Sequence, residues 1–112
     1  MAARDDAVYL AEALDAIRMA QAFTAGMTGD EFLEDLKTQS AVVRQLEIIG
    51  EACGHVSRTT RDANPEIPWG EAIATRNVLI HEYFGVDPET VWMTVQEDLP
   101  VLAELLTKVN LS

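Results

Sequence analysis

The sequence predicts an all-α domain: an antiparallel bundle of four to five helices, with the last helix kinked or split near Pro100. Three observations carry this. Apolar residues recur at three- and four-residue spacing, the rhythm of one helix face. Helix caps and breakers punctuate the chain at short intervals. Alternation of apolar and polar residues, and the Asn-Gly or Asp-Gly turns that join hairpin strands, are missing. With 112 residues, of which 48% are apolar, the chain suits one packed domain over 1–112 and no second core.

The elements follow in order. Asp5 or Asp6 can cap a first helix that runs to about Thr24, with Ala7, Leu10, Leu14 and Ile17 as its apolar face and Gly26 as its stop. Thr28-x-x-Glu31 reads as a capping box, with Met27 and Phe32 as its hydrophobic staple, opening a short helix through Leu33. From about Asp35 a longer helix carries Leu36, Val43, Leu46, Ile49, Cys53 and Val56 toward the core. Gly50 and Gly54 lie four apart on it and leave a bare face that another backbone can approach.

The stretch Ser57–Trp69 breaks the pattern, because Asn64-Pro65 and Ile67-Pro68 push their first residues out of the helical region. Pro68 suits the start of a helix from about Trp69 to Tyr83, ended by Gly85. Within it, Ile73 and Ile80 read as the core side. Asp87-Pro88-Glu89 restarts a helix, and Val91, Trp92, Val95, Leu99, Leu102, Leu106 and Val109 form its face. Pro100 should kink it or divide it.

Composition excludes several classes of function. No run approaches a membrane span, and the acidic start Arg4-Asp5-Asp6 does not resemble a signal peptide, so a cytoplasmic location is expected. Cys53 is the single cysteine and reads as a small buried hydrophobe. One Cys and two His make a zinc site an unpromising reading. Glu47 and Glu51 read as a solvated stripe or an arginine pair rather than as metal ligands. No Gly-rich phosphate loop is present, so nucleotide hydrolysis has no support.

The net charge of −11 is unevenly spread. Residues 1–40 carry 8 acids against 3 bases, 82–112 carry 6 against 1, and 41–81 carry 5 against 4, all four of them arginines. An acidic chain should bind long nucleic acid poorly without local positive patches, which counts against a general nucleic-acid binder and against DNA as a partner, although arginine forks well onto phosphate.

One run carries chemistry: Arg76-Asn77-Val78-Leu79-Ile80-His81-Glu82-Tyr83. Asn77 and His81 are four apart on one helical face, and Arg76 lies about 140° from His81 and about 7.5 Å along the axis. A long guanidinium can reach across to a group held by the imidazole. On spacing alone the plainer reading prevails: a helix-end histidine favoured by the macrodipole, and an arginine paired with Glu71 or Glu51.

The segment as a whole resembles the Arg-x4-His-x-Tyr signature of HepT-like proteins, within the HEPN superfamily of prokaryotic ribonucleases. Gln45–Ala52, Asn64–Trp69 and Val91-Trp92 resemble further blocks of the same family, in the same order. The likeness spans about residues 40–95 strongly and the rest loosely.

It implies a metal-independent endoribonuclease toxin with no cofactor, acting as a homodimer on tRNA or mRNA. The cognate antitoxin would be a minimal nucleotidyltransferase that transfers AMP onto a motif tyrosine. Carried onto this chain, His81 would be the general acid/base, Arg76 the phosphate clamp, Asn77 an orienting residue and Tyr83 the modified position. Chemically the set is coherent. RNA brings its own nucleophile in the 2′-OH, imidazole suits proton transfer near neutrality, and a guanidinium stabilises charge on the phosphorane. Cleavage would leave a 2′,3′-cyclic phosphate and a 5′-OH. Glu82 and the overall acidity oppose RNA, so a non-catalytic helical module that docks a nucleotidyltransferase and is modified by it stands as the alternative.

Overall fold

The computed structural model describes residues 2–81, 86–109 and 111, and among these every regular element is helical. In chain order they are α1 (Ala2–Thr24), α2 (Gly29–Leu33), α3 (Leu36–His55), α4 (Arg58–Ala63), α5 (Trp69–His81), α6 (Pro88–Met93), a π-helical turn (Thr94–Asp98) and α7 (Leu99–Thr107). The expected all-α bundle is what forms. The long helix α3 is its spine, flanked by α1 and α5, and the C-terminal helix closes the α1 side.

Local chemistry sets most boundaries. Thr28 and Glu31 form the full reciprocal capping box. Phe32 is driven completely into the core, and Met27, its expected staple partner, is partly buried against that core. Asp35 caps α3 through Thr38, and Asp87 caps α6 with Pro88 in the first turn. Pro100 lacks the N–H that an α-helix needs. The chain accommodates it by widening upstream: the Leu99 N–H donates to the Thr94 carbonyl, five residues back. The last helix is therefore kinked through a π turn.

Several expectations need correction. α1 is already helical at Ala2, so neither Asp5 nor Asp6 is its N-cap. Asp6 is instead buried, and its carboxylate accepts from the Ser57 N–H (2.8 Å), the Ser57 hydroxyl (2.6 Å) and the Thr60 hydroxyl. Those residues open α4, a short helix inside the stretch read as a break. The inward face of α1 is Asp6, Leu10, Ala13, Ile17 and Ala20, with Ala7 exposed and Leu14 half-buried. Small alanines pack closest to α3, and a search for bulky residues alone shifts the face. Leu36 is 75% exposed because it opens α3 before the helix meets its neighbours; Val42 and Val43 hold that end instead.

On α5 the core residues are Trp69 and Leu79, Ile73 packs against the core as expected, and Ile80, like Val78, is exposed. The expected end of this helix, at Tyr83 and Gly85, lies outside the described residues. Of the two glycines of α3, only Gly50 admits a close backbone approach; Gly54 is exposed and has room for a Cβ. A Cβ on Gly50 would lie 2.3 Å from the Arg76 Cβ and 2.6 Å from the Ala72 carbonyl oxygen, so α5 crosses α3 there in near-backbone contact.

Candidate functional site

The same close crossing positions the central motif residue. Because Gly50 offers no side chain, the stem of Arg76 lies directly on α3. The residue is half-buried, and its Nε is enclosed without a hydrogen-bond partner among the described residues. Its Nη1 donates to the Asn77 Oδ1 at 3.1 Å. Neither Glu71 nor Glu51 pairs with it, and no carboxylate among the described residues does. A guanidinium with a fixed stem and no carboxylate on its head is available to an anion.

Asn77 and His81 are exposed. The structure thus brings Arg76 and Asn77 together through a hydrogen bond, with His81 one turn beyond Asn77 at the last described position of the helix. Tyr83 and Glu82 lie outside the described residues.

α5 leans on α3 and leaves a trench between itself and the C-terminal helix. One part, about 440 Å³, is lined mainly by apolar side chains, among them Leu46, Val78, Leu79 and Val91. It continues into a cleft of about 240 Å³ where Leu46, Thr75 and Thr94 are shared and Val101 forms the rim. Val78 is 50% exposed and Val101 57% exposed. Val78 and His81 are three apart on α5, so the trench and the motif share a border.

Cys53 is buried in α3, and burial pushes its thiol up to about 11 despite the nearby Arg61 charge. It is a core residue, as its setting in the sequence suggested. No group of three or more His, Cys, Asp or Glu among the described residues could hold a metal ion, and no helix there is long and apolar enough to cross a membrane.

A second feature was not singled out by sequence reasoning. At the opposite end of α5, Arg58, Arg61, Asp62, Pro65 and Trp69 surround an open depression of about 580 Å³. Its signal in the sequence was weak: two arginines three apart and a tryptophan beyond a loop, which only folding brings into one place.

Comparison with known proteins shows the family. Residues 13–109 match the family described as "Ribonuclease HepT-like". The chain is 47% identical to "Probable ribonuclease HepT" of Thermococcus cleftensis, over 84% of this chain and 86% of that protein. It is 38% identical to "Putative RNase MJ1380" of Methanocaldococcus jannaschii, over 89% of this chain and 92% of the other. "Putative RNase TTE0752" of Caldanaerobacter subterraneus is 36% identical, over 75% of each. No solved structure matches the chain significantly.

Proposed function

Since the chain belongs to the HepT-like ribonuclease family, we propose that it is a metal-independent endoribonuclease toxin whose cutting centre is built from Arg76, Asn77 and His81. The observation that carries the reading is the state of Arg76: a stem seated over Gly50, a head oriented by Asn77, and no carboxylate partner among the described residues of a chain of net charge −11. An arginine kept unpaired among so many acids suits a phosphate.

In the proposed step the His81 imidazole removes the proton from a ribose 2′-OH, and that oxygen attacks the adjacent phosphorus. Negative charge on the phosphorane is met by the Arg76 guanidinium. The P–O5′ bond then breaks, the leaving oxygen takes a proton from an imidazolium, and the products carry a 2′,3′-cyclic phosphate and a 5′-OH. Around α5, Arg76 and His81 lie about 140° apart, a wide angle for one helix to close on one phosphate. A homodimer resolves it, with a second copy filling the apolar trench beside Val78 and setting its motif helix against the first. His81 of each copy then serves as base or acid.

A cognate minimal nucleotidyltransferase as antitoxin completes the proposal. Transfer of AMP from ATP to the Tyr83 hydroxyl, with release of pyrophosphate, would place bulk and negative charge two residues from His81 and block the RNA. The net charge favours a second reading, in which the chain docks and is modified by such a transferase without cutting RNA.

RNA cleavage by wild type, His81→Ala and Arg76→Ala in EDTA, with product ends identified, separates the two. Cutting by wild type alone, with cyclic-phosphate ends, is the expected result, and each variant should lose at least about a hundredfold in rate. If neither variant differs from wild type, the assigned centre is wrong. A chain that cuts nothing yet gains the mass of AMP only when Tyr83 is intact supports the second reading.

A further inference from the structure

Among the described side chains, Lys37 on α3 pairs with no carboxylate, while the arginines divide by helix into those that pair and those that do not. Arg18 and Arg44 pair with acids one turn along their own helices, Asp15 at 3.5 Å and Glu47 at 3.7 Å, and Lys108 pairs with Glu104 at 3.2 Å. Arg58, Arg61 and Arg76 pair with no carboxylate among the described residues, and they follow one another along the α4–α5 side of the fold. Arg61 and Arg76 share a further trait. Both are half-buried, and in both the Nε is enclosed without a partner.

The depression between Arg58 and Trp69 adds what a bare cationic patch lacks. Pro65 and the largely buried Trp69 supply an apolar floor, and the indole N–H is already used on the Asn64 carbonyl at 3.1 Å, which fixes the ring. Arg58 is exposed at the rim beside Arg61. Asp62 also lines the space; it repels a phosphate but accepts hydrogen bonds from the amino or imino edge of a base. A flat apolar surface, two guanidinium groups and one acceptor are together the recognition chemistry of a single nucleotide in a single strand. At about 580 Å³ the space is of ligand size.

The direction of α5 relates this depression to the motif. Trp69 and Arg76 are seven residues apart, so they lie about 20° from each other around the helix and about 10.5 Å along it. His81 is five residues further. A strand laid along this edge meets the depression first and the motif arginine next, a few nucleotides on.

We infer that the Arg58–Arg61–Asp62–Pro65–Trp69 depression is a nucleotide subsite that holds single-stranded RNA at a distance from the scissile phosphate. Arg58 and Arg61 grip backbone phosphate, Pro65 and Trp69 take the base, and Asp62 selects bases that carry a donor edge. The inference rests on the ribonuclease reading for its ligand class, but its test does not depend on cleavage.

The probe is a fluorescent 2′-O-methyl oligoribonucleotide, which has no free 2′-OH and cannot be cut by this route. Its affinity is measured over a salt series for wild type, for Arg58→Ala/Arg61→Ala and for the charge-matched control Arg18→Ala/Arg44→Ala. The subsite variant should bind on the order of tenfold more weakly, and its log K against log salt slope should flatten by about 1.4, two phosphates at about 0.7 each. The control should keep most of the affinity. Asp62→Asn should change the ranking among homopolymer probes.

Equal losses in both double variants, an unchanged slope in the subsite variant, or no binding by wild type overturn the inference. Arg58→Glu, at an exposed position, guards against misfolding of the double variant and should weaken binding by itself. Cleavage by wild type is assayed separately on unmodified RNA. Its absence counts against the ribonuclease reading, whereas the salt slopes decide the subsite.

Discussion

Asp6 lies buried on α1, and its carboxylate accepts hydrogen bonds from Ser57 and Thr60, half the chain away. Burial pushes its pKa up, but the bonds from Ser57 and Thr60 outweigh that and hold the carboxyl below its ordinary value of 3.8. A depressed folded-state pKa gives stability that is fully present above the ordinary value and lost as pH falls through the folded one. Asp6→Ala should therefore destabilise the domain by about 2–3 kcal/mol at neutral pH, since it strands the Ser57 N–H and two hydroxyls. Urea unfolding measured at pH 7 and again below pH 3 checks both statements, because the gap between the proteins should narrow in acid. Arg76 belongs to the same scale. Among the described residues its partner is Asn77 and not Glu71 or Glu51, so the ion pair that the spacing allowed does not form. Spacing along the chain could not decide this, because each candidate partner lay within reach of a flexible side chain.

At the scale of elements, the α3–α5 crossing governs the candidate site. A Cβ at Gly50 has no room, with backbone on one side and the Arg76 stem on the other. A Cβ at Gly54 meets only Ile73 atoms, the nearest at 3.8 Å. Gly50→Ala should cost about 1–3 kcal/mol and lower any Arg76-dependent activity, because α5 must lift. Gly54→Ala should be neutral or stabilise by up to about 1 kcal/mol through helix propensity. Thermal unfolding of the two variants side by side tests the contrast. Much of this element was legible beforehand: the glycine pair announced a close approach. What it could not name was the approaching residue. The inward faces were read less well. On α5 the mean pattern is apolar on several sides, so Ile80 looked like core while Leu79 takes that place and Ile80 faces out. A helix that touches the bundle along one narrow line and keeps apolar residues for another surface defeats periodicity.

At the scale of the molecule, α5 leans toward α3 and away from the C-terminal helix, which leaves Val78 and Val101 exposed over an apolar trench. If a second copy fills that trench, Val78→Glu should shift the protein from dimer to monomer in sedimentation or light scattering, and RNA cleavage should fall with it. A dimer that survives the charge at this position would place the interface elsewhere. Charge is also arranged at this scale. Among the described residues the paired cations sit on α1, on α3 and at the C-cap of α7, while the arginines with no carboxylate partner, Arg58, Arg61 and Arg76, belong to α4 and α5. A chain of net charge −11 can thus still present one local surface to an anion.

By itself, the sequence determined the all-α class, the caps at Thr28 and Asp87, the start of a helix near Asp35, the disturbance at Pro100 and the motif run from Arg76. Each of these depends on a handful of neighbouring residues, within one or two helical turns, and such interactions are written in local spacing. Only the tertiary structure decided that Asp6 accepts from Ser57 and Thr60, the cap and first turn of a helix on another part of the chain, and that Gly50 receives Arg76. It also decided that Leu79 rather than Ile80 is buried, and that Arg58 and Arg61 meet Trp69 around one depression. Those outcomes depend on which helices meet and at what depth, a property of the packed bundle that no window of the chain contains.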